Sequence, residues 1–153
     1  MPGLFIIAHA PLASALKECA SHVYAGCPQK LLVVDVAPDA SVEAAAAAAL
    51  PALREAASDG SVLIMVDVFG ATPSNVATRL AELAGDLKLK IVAGVNLPML
   101  LRSVCYQDEN LDALTARATA GAIQGVIQIA VSVPQQQSLR NPAHAATHHS
   151  SQQ

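Results

Sequence analysis

Gly3-Leu4-Phe5-Ile6-Ile7-Ala8-His9 is an unbroken apolar run, rich in branched residues, that ends on an imidazole. Side chains alternate across a strand, so a strand-length run with no polar position has both faces buried. That makes it an interior strand of a parallel sheet with helices above and below. His9 falls at its C-terminal end.

The same unit recurs along the chain. Leu12, Leu16, Cys19, Ala20 and Val23 repeat at helical spacing from Leu12 to about Ala25, and Gly26 and Pro28 stop that helix. Leu31 to Val36 is a second strand. An Ala-rich helix follows, bracketed by Ser41, Glu43 and Glu55, and Asp59-Gly60 turns into a third strand, Ser61 to Val66, which stops at Asp67. Thr72 is placed as the N-cap of the next helix, with Pro73 in its first turn and Gly85 beyond its end. Lys90 to Val95 is a fourth strand, and Asn96 with Pro98 opens a helix through about Cys105. Leu111 to Thr119 reads as helix. Ile123 to Val133, with Val126, Ile127, Ile129 and Val131, reads as a last strand. The pattern predicts an α/β fold: an open, mostly parallel, twisted sheet with helices on both faces and one antiparallel edge strand.

One domain, residues 1–133, accounts for these elements. Residues 134–153 shift to Gln, His, Ser and Ala and read as a disordered tail. Hydrophobic residues make up 53% of the 153-residue chain and aromatics only 3%, so the core is aliphatic. A net charge of -3 provides no footprint for nucleic acid or an anionic membrane. The three cysteines, Cys19, Cys27 and Cys105, form neither a CxxC pair nor a disulfide framework, which points to reduced thiols in a cytoplasm. No Lys or Arg precedes the first apolar run and His9 interrupts it, unlike a secretory signal. Asp35, Asp67 and Asn96 break the longest apolar stretches before they reach membrane-spanning length. His144, His148 and His149 lie in the tail, where a specific metal site is not expected, and no cofactor is called for.

In an open parallel sheet, chemistry collects outside the C-terminal strand ends. Three separate apolar runs here end at His9, Asp67 and Asn96, which should converge on one crevice. A carboxylate that fixes one ring nitrogen of a histidine leaves the other free as general base, metal ligand or nucleophile towards phosphorus. Helices begin just after His9 and at Thr72 to Asn75, and their first N–H groups favour an anion such as phosphate. Phe69, Met99 and Leu100 are placed in the crevice wall, with Leu97 at its rim. There is no GxxxxGK[ST] loop, no GxGxxG after the first strand and no GxSxG elbow.

Three segments in combination carry a resemblance: Leu4-Phe-Ile-Ile-Ala-His-Ala-Pro-Leu-Ala-Ser-Ala-Leu16, Val62-Leu-Ile-Met-Val-Asp-Val-Phe-Gly-Ala-Thr-Pro-Ser-Asn75 and Ala93-Gly-Val-Asn-Leu-Pro-Met-Leu-Leu101. The chain resembles the enzyme IIA components of the mannose-type sugar phosphotransferase system. The resemblance implies a phosphotransferase component in which His9 receives phosphoryl from the phosphocarrier HPr and gives it to a IIB partner on a separate chain. Asp67 would orient His9. Thr72, with backbone N–H groups at Ala10 and Gly70, would hold the phosphoryl oxygens, and Phe69, Asn96, Leu97, Pro98 and Met99 would form the crevice or docking surface. It further implies a cytoplasmic homodimer that meets the membrane only through IIC and IID components. The alternative is a regulatory phosphorelay protein without a sugar permease. Where the family usually has Gly after the active histidine, this chain has Ala10-Pro11, which removes a donor at Pro11.

Overall fold

The computed structural model describes residues 1–25 and 31–131; the expected helix stop at Gly26 and Pro28, Cys27 and the tail from Pro134 lie outside them. In chain order the elements are β1 (Gly3–His9), α1 (Leu12–Val23), β2 (Leu32–Val36), α2 (Val42–Ala56), β3 (Ser61–Val66), α3 (Thr72–Leu83), β4 (Lys88–Ala93), α4 (Leu97–Cys105) and α5 (Leu111–Gln124). The four strands form one parallel sheet in the order β2-β1-β3-β4.

The two interior strands are the two whose sequences are apolar throughout. On β1 and β3, Phe5, Ile7, Val62, Ile64 and Val66 face one side and pack against Ala46, Ala49 and Leu53 of α2 and Val76, Ala77 and Leu80 of α3. Leu4, Ile6, Ala8, Leu63 and Met65 face the other side, against α1, α4 and α5. Each large aliphatic side chain buried this way contributes about 1.5–3 kcal/mol, and both faces are paid for in aliphatic residues, with Phe5 the only fully buried aromatic among the described residues. Gly3 makes the tight α2 contact possible, since a Cβ there would lie 2.3 Å from the Ala56 carbonyl oxygen.

The chain leaves β1 to form β2 on one side and returns to form β3 on the other. The crevice outside the C-terminal ends of β1 and β3 is therefore the point where strand order reverses, the usual ligand position in such sheets.

The antiparallel edge strand expected over Ile123–Val133 does not form among its described residues, which end at Val131. α5 runs on through Gln124, and Val126, Ile127, Ile129 and Val131 follow without regular structure at 78%, 75%, 83% and 85% exposure. A strand exists only with a hydrogen-bonding partner, and among the described residues β4 pairs with β3 alone. β4 also begins earlier than the Lys90–Val95 reading and ends at Ala93, because Gly94 adopts φ +91°. Its N–H reaches the carbonyls of Val66 (2.9 Å) and Asp67 (3.1 Å), tying the ends of β3 and β4 together. The cap of α3 is Ala71, in extended conformation, and Thr72 is the first helical residue. No helix among the described residues is long and apolar enough to cross a membrane.

Candidate functional site

His9 and Asp67 meet at the switch point. Parallel pairing of β1 with β3 sets Ile7 opposite Val66, so the two residues lie just beyond a shared register. Asp67 Oδ2 accepts from the His9 backbone N–H at 3.0 Å and lies 2.6 Å from His9 Nδ1, while Oδ1 accepts from the Val68 N–H at 2.9 Å. The carboxylate side chain is 11% exposed and the imidazole 46% exposed. Partial burial pushes the Asp67 carboxyl up, but the hydrogen bonds from the His9 backbone, the His9 ring and Val68, together with the charge of the ring, outweigh it and leave the group below the ordinary 3.8.

An ionised carboxylate only accepts, so the ring nitrogen facing it carries a proton. Nδ1–H is thereby assigned to Asp67, and Nε2 keeps its lone pair on the solvent side. A half-exposed imidazole with a fixed tautomer is what this arrangement supplies.

The donors around it divide unevenly. α3 starts without a side-chain cap, and the N–H groups of Gly70, Thr72 and Ser74 have no hydrogen-bond partner among the described residues. Gly70, at φ +80°, makes the turn into that helix, a conformation costly for other residues. The start of α1 is different: its Ala13 and Ser14 N–H groups already donate to Asp35, and the Ala10 N–H donates to the Val36 carbonyl at 3.0 Å. Ala10, Ala13 and Ser14, expected to face an anion, are thus occupied, and in the first turn of α1 only the Leu12 N–H has no hydrogen-bond partner among the described residues.

Asn96 does not join the pair. Its Oδ1 caps α4 at the Met99 N–H (2.8 Å) and its Nδ2 donates to the Ala122 carbonyl (3.2 Å), so it joins α4 to α5. The physical reason is strand order: β3 stands between β4 and β1, two strand spacings of about 4.8 Å each. Met99 and Leu100, expected in the crevice wall, are buried in the core beside Leu4, Ile6 and Met65. Leu97 and Pro98 are half-buried; Leu97 lines a hollow together with Cys19 and His22 of α1, and Pro98 lies against Gly125. Phe69, two residues past Asp67, stands 86% exposed with Val68 beside it at 49%. Asp35 is the residue that sequence reasoning passed over, although its place at the end of the Leu31–Val36 run marked it as another strand-end carboxylate.

The groove of about 570 Å³ between α4 and α5 and the hollow of about 680 Å³ beside Lys88 and Asn110 are not lined by His9. Nor do three or more His, Cys, Asp or Glu side chains gather in a metal-binding group among the described residues. The imidazole stands on an open surface.

Comparison with known proteins bears on what such a surface serves. The EIIA-man family, described as the PTS system fructose IIA component, matches residues 3–119. The chain belongs to this family. The matched span runs from β1 into α5 and includes His9, Asp35, Asp67 and Thr72. The PTS system fructose-specific EIIA component of Bacillus subtilis (strain 168) is 32% identical over 108 residues, which cover 71% of this chain and 72% of that protein. Among solved structures, the mannose/sorbose specific IIA subunit of the phosphotransferase system from Enterococcus faecalis is 25% identical, with a TM-score of 0.73 over 86% of this chain and 97% of that one. Phosphotransferase system component EIIA from Streptococcus agalactiae, at 24% identity, shares the fold with a TM-score of 0.72 over 84% of this chain and 97% of that one. This EIIA-man member is accordingly a component of a phosphotransferase system, a phosphotransfer protein with the parallel α/β sheet of its relatives.

Proposed function

We propose that this EIIA component accepts a phosphoryl group from phospho-HPr on Nε2 of His9 and passes it to a IIB partner on a separate chain. The observation that carries the reading is the 2.6 Å contact between His9 Nδ1 and Asp67 on an exposed ring.

Each step needs only alignment and charge stabilisation. The Nε2 lone pair attacks phosphorus as the bond from phosphorus to the donor imidazole breaks, and that donor nitrogen leaves with the electron pair. The new N–P bond raises the positive character of the His9 ring. Nδ1 keeps its proton, and Asp67 stabilises the charge from the other side. Transfer to IIB reverses these movements, so no proton has to leave the His9–Asp67 pair in either direction.

Thr72 and the N–H groups of Gly70, Thr72 and Ser74, which have no partner among the described residues, are the donors for the phosphoryl oxygens, and the positive end of α3 favours them. Phe69 and Val68, which follow Asp67 in the chain, offer an apolar docking surface. An open site suits a reaction whose substrates are phosphorylated faces of other proteins, which exclude water as they dock. The protein works in the cytoplasm as a homodimer and reaches the membrane only through the IIC and IID components that its partner serves.

Incubation with enzyme I, HPr and labelled phosphoenolpyruvate tests the reading. Label should appear on the wild-type chain and be absent from His9→Ala. Label persisting on a folded His9→Ala variant would place the phosphoryl on another residue.

A further inference from the structure

A second carboxylate flanks β1 on the side away from Asp67. Asp35, at the end of β2, pairs in register with Ala8, and Val36 pairs with His9. Asp35 Oδ1 accepts from the backbone N–H groups of Ala13 at 2.9 Å and Ser14 at 3.2 Å, and Oδ2 accepts from the Ser14 hydroxyl. Ala13 and Ser14 are the second and third residues of α1, the donors that an N-cap side chain normally satisfies. The cap position here belongs to Pro11, which makes no side-chain cap bond. Asp35 caps the helix from a neighbouring strand instead.

The consequence reaches His9. Between the strand that carries the imidazole and α1 lie only Ala10 and Pro11. The Ala10 N–H is bonded to Val36, and the chain is caught again at Ala13 and Ser14 by Asp35. The corner after His9 is thus fastened to β2 at both ends. A ring on the last residue of a strand inherits whatever freedom that corner has, and a displacement of about 1 Å at a reacting group can cost about a hundredfold in rate.

We propose that Asp35, acting with Ser14, is a positioning residue for phosphoryl transfer: it holds the corner that follows His9 so that the ring meets Asp67 and an incoming phosphorus in one geometry. The proposal rests on the phosphocarrier reading. It divides labour between two strand-end carboxylates, Asp67 holding the ring itself and Asp35 holding the backbone that carries it. It also takes the Ala13 and Ser14 N–H groups out of phosphoryl binding, which leaves the start of α3 as the larger set of donors.

The test compares Asp35→Ala, Asp35→Asn and Ser14→Ala with wild type by three readouts: ¹⁵N NMR of the His9 ring, phosphorylation by phosphoramidate, which needs no protein docking, and transfer from phospho-HPr. Asparagine keeps an acceptor for Ala13 and Ser14; alanine does not. Asp35→Ala should be folded yet about tenfold slower with both donors, with the loss in kcat and not in KM, and its His9 ring signals should broaden or shift. Asp35→Asn should recover most of the rate. Normal ring signals and rates in folded Asp35→Ala would overturn the proposal, as would a loss that follows the unfolded fraction. If Asp35→Ala does not fold, Ser14→Ala carries the test: slower transfer with altered ring signals supports the proposal, and wild-type behaviour overturns it. Wild-type protein that takes no phosphoryl from phospho-HPr would defeat the carrier reading separately, and the NMR and phosphoramidate readouts would still decide whether Asp35 positions His9.

Discussion

One oxygen of Asp67 holds His9 twice, at the backbone nitrogen (3.0 Å) and at ring Nδ1 (2.6 Å). The double hold fixes the ring relative to its own strand as well as to β3, and it leaves Nε2 as the ring nitrogen not engaged by Asp67.

Removal of that hold should be costly. Asp67→Ala frees the ring to rotate and to exchange tautomers, and phosphorylation by phospho-HPr should slow by about a hundredfold. Asp67→Asn keeps an acceptor at the same place without the charge and should lie between alanine and wild type. Stopped-flow or quench-flow transfer rates check the order; equal rates for all three proteins would remove Asp67 from the mechanism.

The same carboxylate makes stability depend on acid. Its folded-state value lies below 3.8, so its contribution is complete above about 3.8 and is lost as pH falls through the lower folded value. The unfolding midpoint of wild type should exceed that of Asp67→Asn near neutrality, and the gap should close in strong acid. Asp59 is held low as well, because hydrogen bonds from Ser61 and the N-terminal amine outweigh its burial. It is present in both proteins and cancels. A gap that stays constant from about pH 6 to pH 2 would contradict the assignment.

Phe69 has little to do with the fold, being 86% exposed. Phe69→Ala should leave thermal stability within about 0.5 kcal/mol. As an aromatic anchor at a protein interface it should raise KM for phospho-HPr by about tenfold or more. Titration of transfer rate against phospho-HPr separates the two effects, and an unchanged KM would move the docking face elsewhere.

Ile123, Val126, Ile127, Ile129 and Val131 together expose more apolar surface than scattered single residues would. Under the homodimer proposed above, this segment is the apolar surface that a second copy of the chain would cover. Sedimentation equilibrium should give twice the chain mass for wild type and a shift towards monomer for the double variant Ile127→Asp, Ile129→Asp. Wild-type protein that sediments as a monomer at micromolar concentration would leave the segment without that occupant.

Much of this architecture was legible in the residues. An apolar run without polar interruption allows only a doubly covered strand, so β1 and β3 and the positions of His9 and Asp67 followed from Gly3–His9 and Ser61–Asp67. The order of strands across the sheet was not legible, because it depends on pairings between distant segments. Asn96 looked equivalent to Asp67 for that reason, although β3 separates its strand from β1. Met99 and Leu100 showed their apolar character but not their direction, which the packing of α4 against β1 and β3 decides. The alternation in Val126–Val131 reported surface that needs covering and could not say by what. Asp35 was visible as a break at the end of an apolar run, and its task appeared only once α1 was seen to begin on a proline.

The most direct test is ³¹P and ¹⁵N NMR of ¹⁵N-histidine-labelled protein after phosphorylation through enzyme I and HPr. A single phosphohistidine at His9 is expected, with phosphorus coupled to Nε2 and Nδ1 still protonated against Asp67. Phosphorus coupled to His9 Nδ1, or to any other residue, would contradict it.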